Sequence, residues 1–316
     1  GKTGEISSVD ANSIAPAAAR EEMYEVLPAS GAPGDLNSGE YNCSVMDDAN
    51  VHGPLAVGVP GMGAGIGTLW ERWGRLRWEE IVAPSQRLVE EGFPYGPTAG
   101  AVKSLEEVIR KFPSTAAHLL RDGELPQPDD IWHRPGMDRT LSRLAEAGWR
   151  DLYQGELAHE IAAFVQEAGG ILTCEDLAAY QPRVTEPLTV SYRDADVHGV
   201  ILPNGTLTTL EILNMLERFD PPDQGSIEYW HTLAEVLKLA WRDRLTYLTD
   251  PEFAEVPIER LLSKDYAAGR VERIHQYPEW VDTLPARFPT GAAQGTLHLA
   301  TADAEGNVVS ATISQG

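Results

Sequence analysis

Apolar side chains recur at helical spacing in several stretches of this chain. The most regular run is Trp230, Leu233, Ala234, Leu237, Trp241, Leu245 and Leu248, with Glu235, Lys238, Arg242 and Asp243 off the stripe. Positions at i, i+3, i+4 and i+7 share one face of an α-helix, so this stripe is expected in the core. Trp78, Ile81, Val82, Ser85, Leu88 and Val89 repeat in the same way. Pro84 is expected to kink that helix or mark its start. A third face, Leu157, Ile161, Phe164, Val165 and Ala168, is closed by Gly169-Gly170. Helices are also expected over 65–73, over 138–147 with Gly148 as the stop, and over 206–218. An Ala-rich helix is expected over 16–26, because Pro16 suits a first helical turn. Thr173-Cys-Glu-Asp176 reads as a capping box opening one more short helix.

Strand spacing is found elsewhere. Residues 5–10 read as a short strand. Segments 188–192 and 197–202 alternate like a hairpin around Arg193-Asp-Ala-Asp196. The chain closes on two more strand-like segments, 296–302 and 308–312, joined by Ala304-Glu305-Gly306 with Gly where a left-handed residue is needed. If Asp303 pairs with Asn307, counting outward sets Thr296 opposite Ser314, and two hydroxyls face each other. Residues 28–54 and 275–295 are rich in Pro and Gly and read as a surface loop and an exposed connector. There is no internal repeat, and the mixture of helix and strand gives a fold of the α/β (α+β) class.

Composition narrows the function classes. The 316 residues are 42% hydrophobic and 23% charged, the balance of a globular protein. The formal net charge of −23 leaves no basic footprint to neutralise phosphates, which argues against nucleic acid as partner. No apolar run reaches membrane-spanning length. Cys43 and Cys174 are too few and too far apart for a disulfide framework or a zinc ribbon, and they leave the compartment open. No signal peptide is visible at Gly1, and the absence of Met there does not look like a native start.

Two motif-like patterns carry no chemistry. Gly58, Gly61, Gly63, Gly65 and Gly67 fit neither phosphate-loop spacing, and close backbone packing at a strand-to-helix turn is the better reading. His159-Glu160 begins like a zinc-protease helix, but Ala163 stands where the second His must be, and no other His has metal-ligand spacing. No metal or cofactor is expected.

Thr296 is different. Its hydroxyl follows a flexible Gly291-Ala-Ala-Gln-Gly295 stretch and faces Ser314 in the expected register. A Thr can attack the carbonyl of the residue before it; hydrolysis of the resulting ester cuts the chain. The freed Thr then owns both a nucleophilic hydroxyl and an α-amine that acts as its base. Taken alone, a Thr in a strand is there for its β-propensity.

Longer segments give that hydroxyl a context. They are Val59-Pro-Gly61, Trp78-Glu-Glu-Ile-Val-Ala-Pro84 and Glu91-Gly-Phe93, then Ile171-Leu-Thr-Cys-Glu-Asp-Leu-Ala-Ala-Tyr180, Glu186-Pro187 and Tyr192-Arg193. They continue through His231 to Arg244, Tyr247 to Phe253 and Val256-Pro257, and end on Thr296-Leu-His298, Asp303, Gly306-Asn307 and Val309-Ser310. In these segments the chain resembles the γ-glutamyltranspeptidase family over nearly its whole length. The resemblance implies an N-terminal-nucleophile hydrolase with an αββα sandwich. It divides the chain into a large-subunit-like region, 1–295, and the start of a small-subunit-like region, 296–316, with parts of both subunits lacking. It implies autocatalytic cleavage of a zymogen between Gly295 and Thr296, and acyl transfer through an ester on Thr296 supported by Ser314. The implied partners are a small-molecule amide or peptide substrate and a small-subunit segment of the same precursor, with a homo-oligomer left open. Many members of the family are periplasmic or secreted; a cytoplasmic location stays open.

Departures from the family pattern bear on substrate. Asn12 stands where the family carries an Arg that pairs with the glutamate α-carboxylate. Losing a bidentate guanidinium removes the fork that reads a carboxylate. Leu202-Pro-Asn-Gly-Thr206 replaces a Pro- and Ser-rich stretch ending in paired glycines, Leu297 replaces the second Thr of the cleavage motif, and Gly316 stands at the position of the family's Asn. The substrate-binding positions are therefore Asn12, Asn204 and Gly205, and the expected substrate is an amide other than a standard γ-glutamyl compound, of oxamate-amidase or cephalosporin-acylase type. Two alternatives remain open from sequence: a non-catalytic relative that keeps the fold for binding or as a scaffold, and a γ-glutamyl enzyme whose carboxylate contact has moved to Arg20.

Overall fold

The computed structural model describes residues 1–27, 45–220, 223–276 and 296–314. The chain opens on β1 (Ser8–Asp10), then passes through α1 (Met62–Trp73) and α2 (Trp78–Glu91) to β2 (Phe93–Pro94). Three short helices, α3 (Thr98–Ser104), α4 (Glu106–Lys111) and α5 (Pro113–Leu119), lead to β3 (Ile131–Trp132), which pairs with β2. Next come α6 (Met137–Ala147), α7 (Asp151–Gln154), α8 (Glu156–Glu167) and α9 (Cys174–Ala179). β4 (Arg183–Thr185) then runs back to pair antiparallel with β1, Asp10 opposite Arg183. The hairpin β5 (Leu188–Tyr192) and β6 (Ala195–Gly199) is followed by α10 (Thr206–Leu216), α11 (Ile227–Tyr247), α12 (Ile258–Leu261) and α13 (Lys264–Gln276). The described chain ends on the hairpin β7 (Thr296–Ala302) and β8 (Val308–Ser314). Among the described residues the sheets are four two-stranded antiparallel ladders.

Two cores matter for the site. The first joins Val59, Ala64, Tyr153, Ala158, Leu172, Leu177 and Tyr180 under α1, α8 and α9. Glycines let α1 approach its neighbours closely here. A Cβ on Gly65 would lie 2.6 Å from Ala11 Cβ, and one on Gly67 only 2.3 Å from the Trp149 ring. The glycine run is thus a packing device, as its spacing suggested. The second core, Met215, Val236, Leu239, Ala240, Ala267 and Val271, holds α10, α11 and α13 together.

Local signals translate directly. Helix α6 stops at Gly148, whose φ of 81° only glycine adopts without strain. Thr173 caps α9: its hydroxyl accepts from Asp176 N at 3.1 Å, while the Asp176 carboxylate accepts from Thr173 N at 2.9 Å and Thr173 Oγ1 at 2.7 Å. The same carboxylate accepts from Ala17 N at 2.8 Å. Burial alone would push the Asp176 carboxyl up. The donors from Ala17 and Thr173 outweigh it and hold the group below its ordinary value. Asp176→Ala removes the acceptor from these part-buried donors and the N-cap partner of α9, and should cost about 1–2 kcal/mol in urea unfolding at neutral pH. Since the folded pKa is depressed, this contribution is present above the ordinary carboxylate pKa and vanishes as pH falls through the folded value. Identical unfolding midpoints in variant and parent would overturn this account.

Several expectations do not survive packing. Residues 16–26 form no α-helix; a 3-10 turn occupies Glu21–Met23. Ala17 N is taken by Asp176, Tyr24 OH by Leu55 O, and Val26 bridges to Val45, so tertiary partners outcompete intrahelical ones. Helix α2 starts at Trp78, where the Glu80 carboxylate accepts from Arg77 N, and runs through Pro84. β6 ends at Gly199, three residues short of the expected strand end. In α8 the buried face is Leu157, Ala158, Ala162 and Val165, with Phe164 exposed. The largest correction concerns α11. Its buried face is Glu235, Val236, Leu239, Ala240 and Asp243, whereas Trp230 is 59% and Leu237 42% exposed. The Trp stripe is not core in these residues. Most of the surface loop and connector read in 28–54 and 275–295 lies outside the described residues, as does Cys43; Cys174 is a half-buried free thiol.

Candidate active site

The terminal hairpin realises the expected register. Asp303 N donates to Asn307 O at 3.0 Å and Gly306 N to Asp303 O at 3.1 Å, with Gly306 at φ 78°. The Asp303 carboxylate accepts from the Asn307 side chain and from Asn307 N and Glu305 N, which hold it below its ordinary value. Counting outward from that turn, Thr296 pairs with Ser314, and their hydroxyl oxygens are 3.2 Å apart. His298, two residues on, shares that face. Its Nδ1 is 2.8 Å from Thr312 Oγ1 and its Nε2 3.3 Å from Ser310 Oγ. The result is a row of hydroxyls and one imidazole on a single face of the hairpin. Both strands are largely exposed, and the turn end meets the body through Glu305 and Arg75 at 3.5 Å.

A second constellation forms where β1 ends. Asn12 Nδ2 donates to Asn204 Oδ1 at 3.0 Å, joining residues 192 apart in the chain. Asn12 N donates to Asp10 Oδ1 at 3.2 Å, and Asn12 O accepts from Tyr180 OH at 2.8 Å. Burial, with smaller contributions from Tyr153 and Asp10, pushes the Tyr180 phenol up to about 12, so it stays a donor. Asn204 Nδ2 donates to Ile201 O at 3.0 Å. Gly205 follows, caps the N-terminus of α10, and lies beside Arg244: a Cβ there would sit 3.4 Å from Arg244 Nη1. That guanidinium also lies over the Trp241 ring, 5.3 Å from its centroid.

The structure therefore brings Thr296 to Ser314 and Asn12 to Asn204, which Gly205 follows in the chain; among the described residues no hydrogen bond joins the two groups. Gly295 and Gly316 lie outside the described residues. Arg20 is exposed, and among the described residues no hydrogen bond joins it to Asn12. His159 is exposed on α8, its Nδ1 2.7 Å from Gly155 O, and no cluster of three potential metal ligands occurs among the described residues. Three residues that hold these groups carry no role in the sequence analysis: Tyr180, His298 and Arg183, whose Nε donates to Asp10 Oδ2 at 3.1 Å. For His298 the signal existed, since two-residue spacing puts it on the face of Thr296. Tyr180 and Arg183 act through contacts far apart in sequence, which no local pattern announces.

The comparisons with known proteins bear on this arrangement. The family model described as γ-glutamyltranspeptidase matches residues 1–316. The chain belongs to the γ-glutamyltranspeptidase family. It is 33% identical to the acylase ACY 1 proenzyme of Pseudomonas sp. (strain SE83) over 96% of this chain and 53% of that one. It is 29% identical to the glutathione hydrolase proenzyme of Escherichia coli over 98% of this chain and 52% of that one. Its structure superposes on γ-glutamyltranspeptidase of Helicobacter pylori with TM-score 0.78 and 27% identity, covering 92% of this chain and 82% of that one. The N-terminal-nucleophile hydrolase fold of these neighbours is the fold of this chain. It spans about half the length of the two curated relatives, both of which are named proenzymes. No helix among the described residues is long and apolar enough to cross a membrane.

Proposed function

We propose that this γ-glutamyltranspeptidase-family chain is part of a self-processing amide hydrolase or acyltransferase whose nucleophile is Thr296. The Thr296–Ser314 hydroxyl pair, 3.2 Å apart at the open end of the hairpin, carries this reading. In the first step Thr296 Oγ attacks the Gly295 carbonyl carbon, the peptide C–N bond breaks, and an ester forms. Water opens that ester, leaving a carboxylate on Gly295 and a free α-amine on Thr296, with 1–295 and 296–316 parted. In turnover the α-amine takes the hydroxyl proton as Oγ attacks the substrate carbonyl, then passes it to the departing amine. Water or an acceptor amine removes the acyl group. Ser314 accepts from or donates to Thr296 Oγ and so orients it. The proenzyme names of the relatives support cleavage of this kind.

Asn12, Asn204 and Gly205 are assigned to the acyl group. One Asn12 N–H is taken by Asn204 and one Asn204 N–H by Ile201 O, so the pair offers the Asn12 amide oxygen and single neutral N–H groups, without the charge or the rigid fork of a guanidinium. A carboxylate gains little there; a neutral acyl group with a hydrogen-bond donor fits. The kinship to an acylase agrees with that preference.

Intact mass of the purified whole protein tests the nucleophile: two chains with the break before Thr296 are expected. An uncut chain that is inert toward amides leaves the fold as a binding or scaffold protein. For specificity, a neutral acyl p-nitroanilide should be turned over at least about tenfold better than γ-glutamyl p-nitroanilide, by kcat/KM. Asn12→Arg should move that ratio toward the γ-glutamyl compound. An unchanged ratio removes Asn12 from the acyl site.

A further inference from the structure

Arg183 touches both segments that carry the Asn12–Asn204 pair. It is the cross-strand partner of Asp10 in the β1–β4 ladder. Its Nε and Nη2 donate to Asp10 Oδ2 at 3.1 and 2.5 Å, and Nη2 also donates to Leu202 O at 2.8 Å. Asp10 is buried, and its other oxygen accepts from Asn12 N. Leu202 is buried too and lies two residues before Asn204. One planar fork therefore grips the carboxylate that fixes Asn12 and the carbonyl that starts the Asn204 loop. A Lys ammonium keeps the charge but lacks a rigid fork able to hold both acceptors at once.

We propose that Arg183 is a positioning residue that sets the spacing of Asn12 and Asn204, and through them the recognition of the acyl group, without touching substrate. Its Nε–Nη2 edge is occupied by Asp10 and Leu202, and the buried Asp10 carboxylate balances its charge. It is therefore not a displaced version of the guanidinium missing at position 12. The inference rests on the assignment of Asn12 and Asn204 to the acyl site.

Two variants of the whole protein test it: Arg183→Lys, and the charge-neutral double variant Asp10→Asn/Arg183→Gln, which leaves no unpaired buried carboxylate if the single change impairs folding. Self-cleavage before Thr296 should persist in both, because it uses no acyl-site residue. KM for the neutral acyl p-nitroanilide should rise roughly tenfold, as when the displaced asparagines forfeit about one hydrogen bond to the acyl group, with kcat within about threefold. Amide hydrogen exchange should accelerate together in the segments holding Asn12 and Asn204. An unchanged KM with parental exchange in both segments overturns the inference, as does a fall in thermal stability and kcat with KM untouched. If the parent turns over no amide, the functional reading fails instead. The exchange measurement then still decides whether Arg183 couples the two segments.

Discussion

Thr296→Ala is expected to leave the chain uncut and to lower amide turnover by about 10⁴-fold or more, the scale seen when a covalent nucleophile is removed. Both consequences follow from one atom, since in the proposed reaction the same hydroxyl opens the peptide bond before it and later receives the acyl group. Thr296→Ser keeps an oxygen at that place and, once cleaved, an α-amine beside it, so cutting and a measurable fraction of turnover should survive. Ser314→Ala removes the partner 3.2 Å away but leaves the nucleophile in place. Its effect should be smaller, roughly 10- to 100-fold on kcat with little change in KM, because orientation acts on the reacting geometry rather than on ground-state binding. Mass spectrometry for cleavage and steady-state kinetics for turnover separate these outcomes. Full cleavage and parental activity in Thr296→Ala would remove Thr296 from the chemistry altogether.

The second large effect is on stability. Glu211 on α10 is 0% exposed, and among the described residues no donor reaches either of its carboxyl oxygens, so its bond with Asp243 needs a proton on one of the two carboxyl groups. Across α11 and α13 lie Asp243, Arg270 and Tyr266. Arg270 Nη2 bonds Asp243 Oδ1 at 2.9 Å, so one guanidinium serves two buried carboxyl groups. The cluster is electrically balanced only with a proton added. Burial, then the neighbouring Asp243 carboxylate, pushes Glu211 up to about 9, against a smaller opposing effect of Arg270. An unfolded Glu titrates at the ordinary 4.5. Between about pH 4.5 and 9 the folded chain holds a proton that the unfolded chain has released. Stability is therefore fully present below pH 4.5, falls as pH rises, and loses nothing further from this group above 9. The slope is bounded by about 1.4 kcal/mol per pH unit. Glu211→Gln keeps the shape and a donor toward Asp243 but cannot ionise. Urea unfolding at pH 5, 7 and 9 should show the difference in stability, variant minus parent, growing with pH and favouring the variant at pH 9. A difference that stays constant with pH would mean that Glu211 carries no such proton.

Glu211 also marks the limit of sequence reasoning. In the sequence it is one acidic residue of a helical segment; its burial depends on α11 and α13, which supply Asp243 and Arg270 from 32 and 59 positions along the chain. The same holds for α11. Its helical character is legible because period 3.6 is a property of neighbouring residues. The face it buries is chosen by what α10 and α13 present, Met215, Ala267 and Val271, and that face lies beside the Trp stripe rather than under it. In 16–26 the local preference for helix is real, but Asp176, Leu55 and Val45 offer the backbone and side chains better partners.

What the sequence determined by itself is what short-range covalent geometry controls. The Thr173–Asp176 box, the stop at Gly148 and the turn at Gly306 each need only residues a few positions apart. The turn in turn fixes the period-two register that sets Thr296 against Ser314, and with it the candidate nucleophile. Tertiary structure alone decided the arrangement around Asn12. Asn12 meets Asn204 because β1 pairs with β4, Tyr180 holds the Asn12 carbonyl, and Arg183 ties Asp10 to Leu202. Hydrogen bonds are short-ranged, so partners so distant in the chain become neighbours only once the strands and cores between them have packed.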